Sequence, residues 1–207
     1  MTESVDHKQA DRIAGGALIA GSLLSVFVMA HHPQHVDPNG IVGLVHGAMI
    51  TLMSVIAFGF AHFALRRGVA QPAILAGLIA YFIGVVADLG AGTTNGFIVP
   101  ALAAHGPALT SRDVFLLAWE ANQALARLGV FATAAAFTFW SIDFLRRPGL
   151  EPKAIGALGL LAGLVPAGLL ATGMTDMHVA GALMAYAAFA LWGAIVGVHL
   201  FRGKLED

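Results

Sequence analysis

Histidine and methionine are distributed unevenly along this chain of 207 residues. Six of its nine histidines are His31, His32, His35, His46, His105 and His178; they fall near those ends of the apolar segments that lack basic residues. The methionines after the first do the same: Met29, Met49, Met53, Met174, Met177 and Met184. Imidazole suits zinc, copper, iron and nickel, and thioether adds a preference for Cu(I). Filler residues have no reason to segregate to one end of a set of apolar segments, so the pattern points to a transition-metal site, copper before zinc.

Two clusters carry the pattern. The first is Met29-Ala-His31-His32-Pro-Gln-His35. His31 and His35 share a helix face only if the helix continues through Pro33, which disfavours helix at the residue before it. Otherwise His32 or His31 meets His35 within a turn. His46 follows one short loop later, with Met49 and Met53 three and seven residues on, along one helix face. The second cluster is Met174, Asp176, Met177 and His178, with Met184 further along. The expected metal ligands are His31, His32, His35, His46, Met49, Met177, His178 and Asp176. Asp88 and Glu120 are the nearby carboxylates able to complete a site or orient its histidines. His105 reads as a surface residue, and His7 has no assigned role.

Two other cofactor chemistries compete with copper. A zinc site of three nitrogen ligands and a water would use Glu120 or Asp88 as base, but no HExxH-type helical motif is present. Haem b is the other, because the second and sixth apolar segments each carry two histidines: His46 and His62, His178 and His199. Their spacings are 16 and 21 residues, a mismatch of about 7–8 Å along a helix. A single haem between His46 and His178 therefore fits better than two stacked ones. A haem- or quinone-linked electron-transfer subunit is the corresponding function, and whether the chain is an enzyme stays open.

These groups must be held by membrane-spanning helices. The chain is 58% hydrophobic and 11% charged, against about 25% charged in soluble domains, so its solvent is lipid. About 20 apolar residues cross a bilayer. That scale gives six spans: Arg12–Ala30, Ile41–Leu65, Pro72–Leu89, Val114–Leu145, Ala154–Ala171 and Val179–Phe201. The expected fold is all-α: a polytopic membrane protein with six transmembrane helices arranged as three hairpins. Residues 1–11 and 202–207 are short polar tails around a single domain, 12–201. The first segment lacks the basic flank and cleavage site of a signal peptide and reads as a retained span. With no cysteine, disulfides, thiolate metal sites and a cysteine nucleophile are excluded.

Nine of the eleven basic residues lie on one side: Lys8, Arg12, Arg66, Arg67, Arg146, Arg147, Lys153, Arg202 and Lys204. By the positive-inside rule both termini are cytoplasmic and the His/Met clusters face outward, in a bacterial-type inner membrane. Net charge is −1 and no basic run occurs, so nucleic acid is not an expected partner.

Local signals complete the picture. Gly90 within Asp88-Leu-Gly-Ala-Gly-Thr-Thr-Asn-Gly96 should stop the third helix, leaving a long outer loop of about residues 90–112. Phe97–Ala104 then reads as a short interfacial or re-entrant segment. Ser111 is an N-cap for the fourth span, which is longer than the bilayer. Gly43-x-x-x-Gly47, Gly159-x-x-x-Gly163 and Gly193-x-x-x-Gly197 let helix backbones approach, within the chain, in a homo-oligomer or in a larger membrane complex. Asp88 and Arg127 are the most deeply placed charges and should pair across the third and fourth spans, with Gln123 beside Arg127. Asp88, Glu120 and Arg127 are also the candidates for a catalytic, gating or proton-relay role in a small carrier.

Overall fold

The computed structural model describes residues 2–33, 40–106 and 111–204. His35 lies outside the described residues. Six helical spans are long and apolar enough to cross a membrane, and the described residues contain no strand. They are α1 (Thr2–Ala30), α2 (Val42–Arg67), α3 (Pro72–Thr93), α5 (Arg112–Arg146), α6 (Leu150–Ala171) and α7 (Val179–Phe201), with the short α4 (Val99–Ala104) continuing α3. The first helix takes in the residues expected as a tail. Pro72 opens α3 as its first helical residue, where its missing N–H leaves nothing unpaired. The Ser111 hydroxyl accepts from the Val114 N–H and caps α5.

The helices form a ring in chain order: α1 packs on α2 and α7, α3 on α2 and α5, and α6 on α5 and α7. Hydrophobic burial does not drive helices together in lipid, so close contact and internal polar bonds must. The glycine stripes supply the contact within the chain. Gly43 and Gly47 receive the Phe97 ring, Gly163 meets the α5 backbone at Ala134, and Gly197 meets Gly15 of α1. Those faces are used inside the bundle.

One expectation is corrected. The third helix does not stop at Gly90. It runs on through a wide, five-residue π turn at Thr94–Ile98 into α4. Pro100 explains the turn: it has no N–H for the carbonyl four residues back, and its ring presses against that carbonyl. The freed carbonyl belongs to Gly96 and faces Gly43 of α2. Glycine-rich backbone absorbs the widened turn, so the outer loop shrinks and Phe97–Ala104 is no separate re-entrant segment.

The half of the ring nearer the basic residues is filled by aromatic side chains. Phe60, Trp140 and Trp192 pack in a near-parallel triangle, with ring centres 5.2 Å (Phe60–Trp140), 5.8 Å (Phe60–Trp192) and 6.3 Å (Trp140–Trp192) apart, and Phe137 lies 4.2 Å from Trp192. Both indoles are satisfied: Trp140 Nε1 donates to the Ile74 carbonyl (3.2 Å) and Trp192 Nε1 to that of Ile155 (2.9 Å). Gly77 and Gly159 leave the room these indoles occupy.

Beyond the aromatics, ion pairs tie the basic ends of the helices together. Buried Asp11 accepts from Arg66 Nε (2.9 Å) and pairs with His62 Nε2 (2.7 Å), joining α1 to α2. Asp143 accepts from Arg67 Nη2 (2.6 Å), joining α5 to α2. Glu151 pairs with Lys204 and lies 3.6 Å from His199 Nδ1, joining α6 to the end of α7. His62 and His199 are therefore engaged in helix-end contacts.

Candidate functional site: a chamber at the histidine end

Opposite the ion pairs the ring is open. Helices α1, α2, α3, α5 and α7 enclose a chamber of about 650 Å³ that runs from His32 and His46 down to Phe60 and Phe137.

His32 and His46 meet at its mouth. Their Nε2 atoms are 3.2 Å apart, and the rings approach edge to face with centres 4.8 Å apart. Each ring is oriented through its other nitrogen. His46 Nδ1 lies 2.9 Å from the carbonyl of Val42, one turn earlier on α2, and His32 Nδ1 lies 2.8 Å from the Pro33 carbonyl. A carbonyl only accepts, so both Nδ1 atoms donate and carry the ring hydrogens. In neutral imidazoles both Nε2 atoms then present lone pairs toward each other.

The π turn completes the setting. Its Asn95 amide donates to His46 Nε2 at 3.4 Å, and Gly96 lies so close beneath His46 that no Cβ fits there. Met29, Met49, Met53 and Met177 line the same chamber, and Met29 and Met177 are buried. Met174 and Met184 are exposed.

The remaining expected ligands are dispersed. His31 is exposed; its Nδ1 donates to the Phe27 carbonyl (2.8 Å) and its ring rests on Phe27. His178 stands at the chamber lip, exposed, with its ring 5.2 Å from Trp119. Exposed Asp176 accepts from the His178 backbone N–H (3.0 Å) through Oδ1, and its Oδ2 is 3.7 Å from His178 Nε2. Among the described residues no three His, Asp or Glu side chains converge on one point. His105 is exposed, its Nδ1 donating to the Ala101 carbonyl.

Asp88 lies deeper, buried on α3, and accepts a hydrogen bond from the Tyr186 hydroxyl of α7 at 2.9 Å. The expected pair with Arg127 does not form. The α5 residue facing Asp88 is Gly129, whose backbone leaves no room for a Cβ beside the carboxylate. Arg127 is two residues away, about 200° round the helix, and is exposed on the outer side. Gln123, expected beside Arg127, instead donates from its buried amide to the Met177 carbonyl at 3.4 Å. Glu120 is exposed and does not line the chamber.

Sequence reasoning passed over several chamber residues. Tyr81 and Tyr186 are the chain's two tyrosines, and both line the cavity beside Asp88, Asn95 and Asn122. Their signal was available: Tyr81, Val85, Asp88 and Asn95 form one stripe at helical spacing, which placing a helix end at Gly90 cut short. The chain matches no protein-family model, no curated protein and no solved structure, so the reading of the chamber rests on its own geometry.

Proposed function

We propose that this chain is a multi-pass membrane protein that binds a transition-metal ion, Cu(I) ahead of zinc, between His32 and His46 at the mouth of the chamber. The observation that carries the reading is the 3.2 Å approach of two Nε2 atoms whose partner nitrogens are already committed to backbone carbonyls. Two lone pairs held face to face call for a cation between them. Metal–nitrogen bonds of about 2.0–2.1 Å reaching both atoms would subtend about 100–105°, close to a tetrahedral angle.

Among the described residues no third histidine or carboxylate joins the pair, so further ligands from these residues would be thioethers or an amide oxygen. Met29, Met49 and Met177 are the candidates from the chamber wall. Neutral nitrogen and sulfur donors favour Cu(I), and among the described residues no third nitrogen ligand joins the pair as a hydrolytic zinc site needs. A haem between His46 and His178 receives less support, because His46 Nε2 is directed at His32 and His178 is exposed on Trp119. The basic helix ends would face the cytoplasm and the chamber the outer side of a bacterial-type inner membrane, where it would serve metal handling.

The test is Cu(I) titration of purified protein in nanodiscs against a chromophoric Cu(I) chelator, with metal content read by mass spectrometry. One copper per chain, lost in the His32→Ala/His46→Ala double variant, is the expected result. Wild-type protein that takes up no Cu(I), or a double variant that binds it as tightly, overturns the proposal. A Soret band in the purified protein would move the assignment to haem.

A further inference from the structure

A metal ion at the mouth uses little of the space behind it. The chamber's volume of about 650 Å³ lies within the roughly 300–1,000 Å³ typical of small-molecule sites. Its inner half also has a distinct chemistry. Asp88 is buried on a membrane-spanning helix, and among the described residues no basic side chain pairs with it; its hydrogen-bond donor is the Tyr186 hydroxyl. A carboxylate held ionised at such depth is stabilised by a counter-charge.

The walls around it are aromatic faces. Phe60 lies 4.9 Å from Tyr81 and 5.6 Å from Phe137, and Phe189 lies 5.3 Å from Phe137, ring centre to ring centre. All four line the chamber. Aromatic faces attract organic cations, most strongly where water is excluded. The Ser22 hydroxyl is no part of this surface: it is fully buried and lies against Gly193 in the contact between α1 and α7.

We propose that the inner chamber is a binding site for a lipophilic organic cation, an ammonium on an apolar, ring-sized body. The cationic head pairs with Asp88, and the body lies against the wall formed by Phe60, Tyr81, Phe137 and Phe189. The Tyr186 hydroxyl holds one carboxylate oxygen and leaves the other for the ligand. This site is independent of the copper proposal, because none of its residues belongs to the histidine pair.

The experiment is equilibrium dialysis of radiolabelled phenethyltrimethylammonium against copper-free, full-length protein in nanodiscs of uncharged lipid, with empty nanodiscs as baseline. Saturable binding near one site per chain is expected. Asp88→Asn should weaken it by about tenfold or more, the scale of a desolvated cation–carboxylate and cation–π site, and Tyr186→Phe should weaken it less. The His32→Ala/His46→Ala variant should bind like wild type, which separates this site from the copper centre. Excess (3,3-dimethylbutyl)benzene, the neutral carbon isostere, should fail to displace the label. No saturable binding above baseline, undiminished binding by a folded Asp88→Asn protein, or equal displacement by the neutral isostere overturns the proposal. The isostere comparison uses wild-type protein alone and decides the matter even if Asp88→Asn does not fold.

Discussion

Gly96 of the π turn lies directly beneath the imidazole of His46, with no space between them for a side-chain carbon. The ring that faces His32 is thus seated on the backbone of the third span. Gly96→Ala should displace His46 while leaving the bundle assembled. Overpacking of this kind costs about 1–3 kcal/mol, so Cu(I) affinity should fall by about tenfold or more. Chelator competition measures the affinity, and an unchanged elution volume on size exclusion checks the assembly. Unchanged affinity would show that the seat is irrelevant to binding.

Pro100 should be the cause of the π turn. Pro100→Ala restores an N–H able to bond the Gly96 carbonyl, so residues 94–98 can return to α-helical spacing. The Gly96 backbone that lies against His46 would shift with it. The expected outcome is a more stable third span, seen as slower amide exchange at residues 94–100, together with weaker Cu(I) binding. Faster exchange would contradict the assignment.

Residues outside the chamber should be silent in metal binding. Glu120→Gln and Arg127→Gln alter exposed side chains and should leave Cu(I) affinity unchanged. His178→Ala removes an exposed ring from the lip and should have a far smaller effect than His46→Ala. A loss on His178→Ala equal to that on His46→Ala would revive the haem-type pairing of the two, and a Soret band would accompany it.

The ion pairs at the opposite end should govern stability and not binding. Asp11 is buried and joins α1 to α2 through Arg66 and His62. Replacing one member of a buried pair leaves its partner unmatched, which costs about 3–5 kcal/mol. Asp11→Asn keeps shape and part of the hydrogen bonding, so about 1–3 kcal/mol is expected. A lower thermal midpoint at unchanged Cu(I) affinity is the predicted signature.

Much of the scaffold was legible because lipid imposes simple rules. Apolar length placed the spans, with boundaries matching the helices closely at Pro72 and Phe201. Ser111 capped α5 as its side chain and position demanded. The third span was misread where a soluble-protein rule was applied: glycine next to short polar residues ends helices in water, whereas in a bundle neighbouring helices satisfy the backbone. At the site, His32 and His46 were among the named candidates, but helical spacing along one chain does not report which helices meet across a ring. The Asp88–Arg127 expectation failed for the same reason. It weighed depth and charge, while the facing residue was fixed by rotation of α5, which presents Gly129.

The stack of Phe60, Trp140 and Trp192 makes the chamber a cul-de-sac. Whatever enters past His32 and His46 meets a plug of interlocked rings, and behind it a belt of ion pairs clasping neighbouring helix ends. Residence is therefore set at a single door, and departure retraces arrival. A vestibule of this shape suits capture and hand-over on one face of the membrane. Passage to the other face would require the rings to unstack together, a barrier that distributes over three helices.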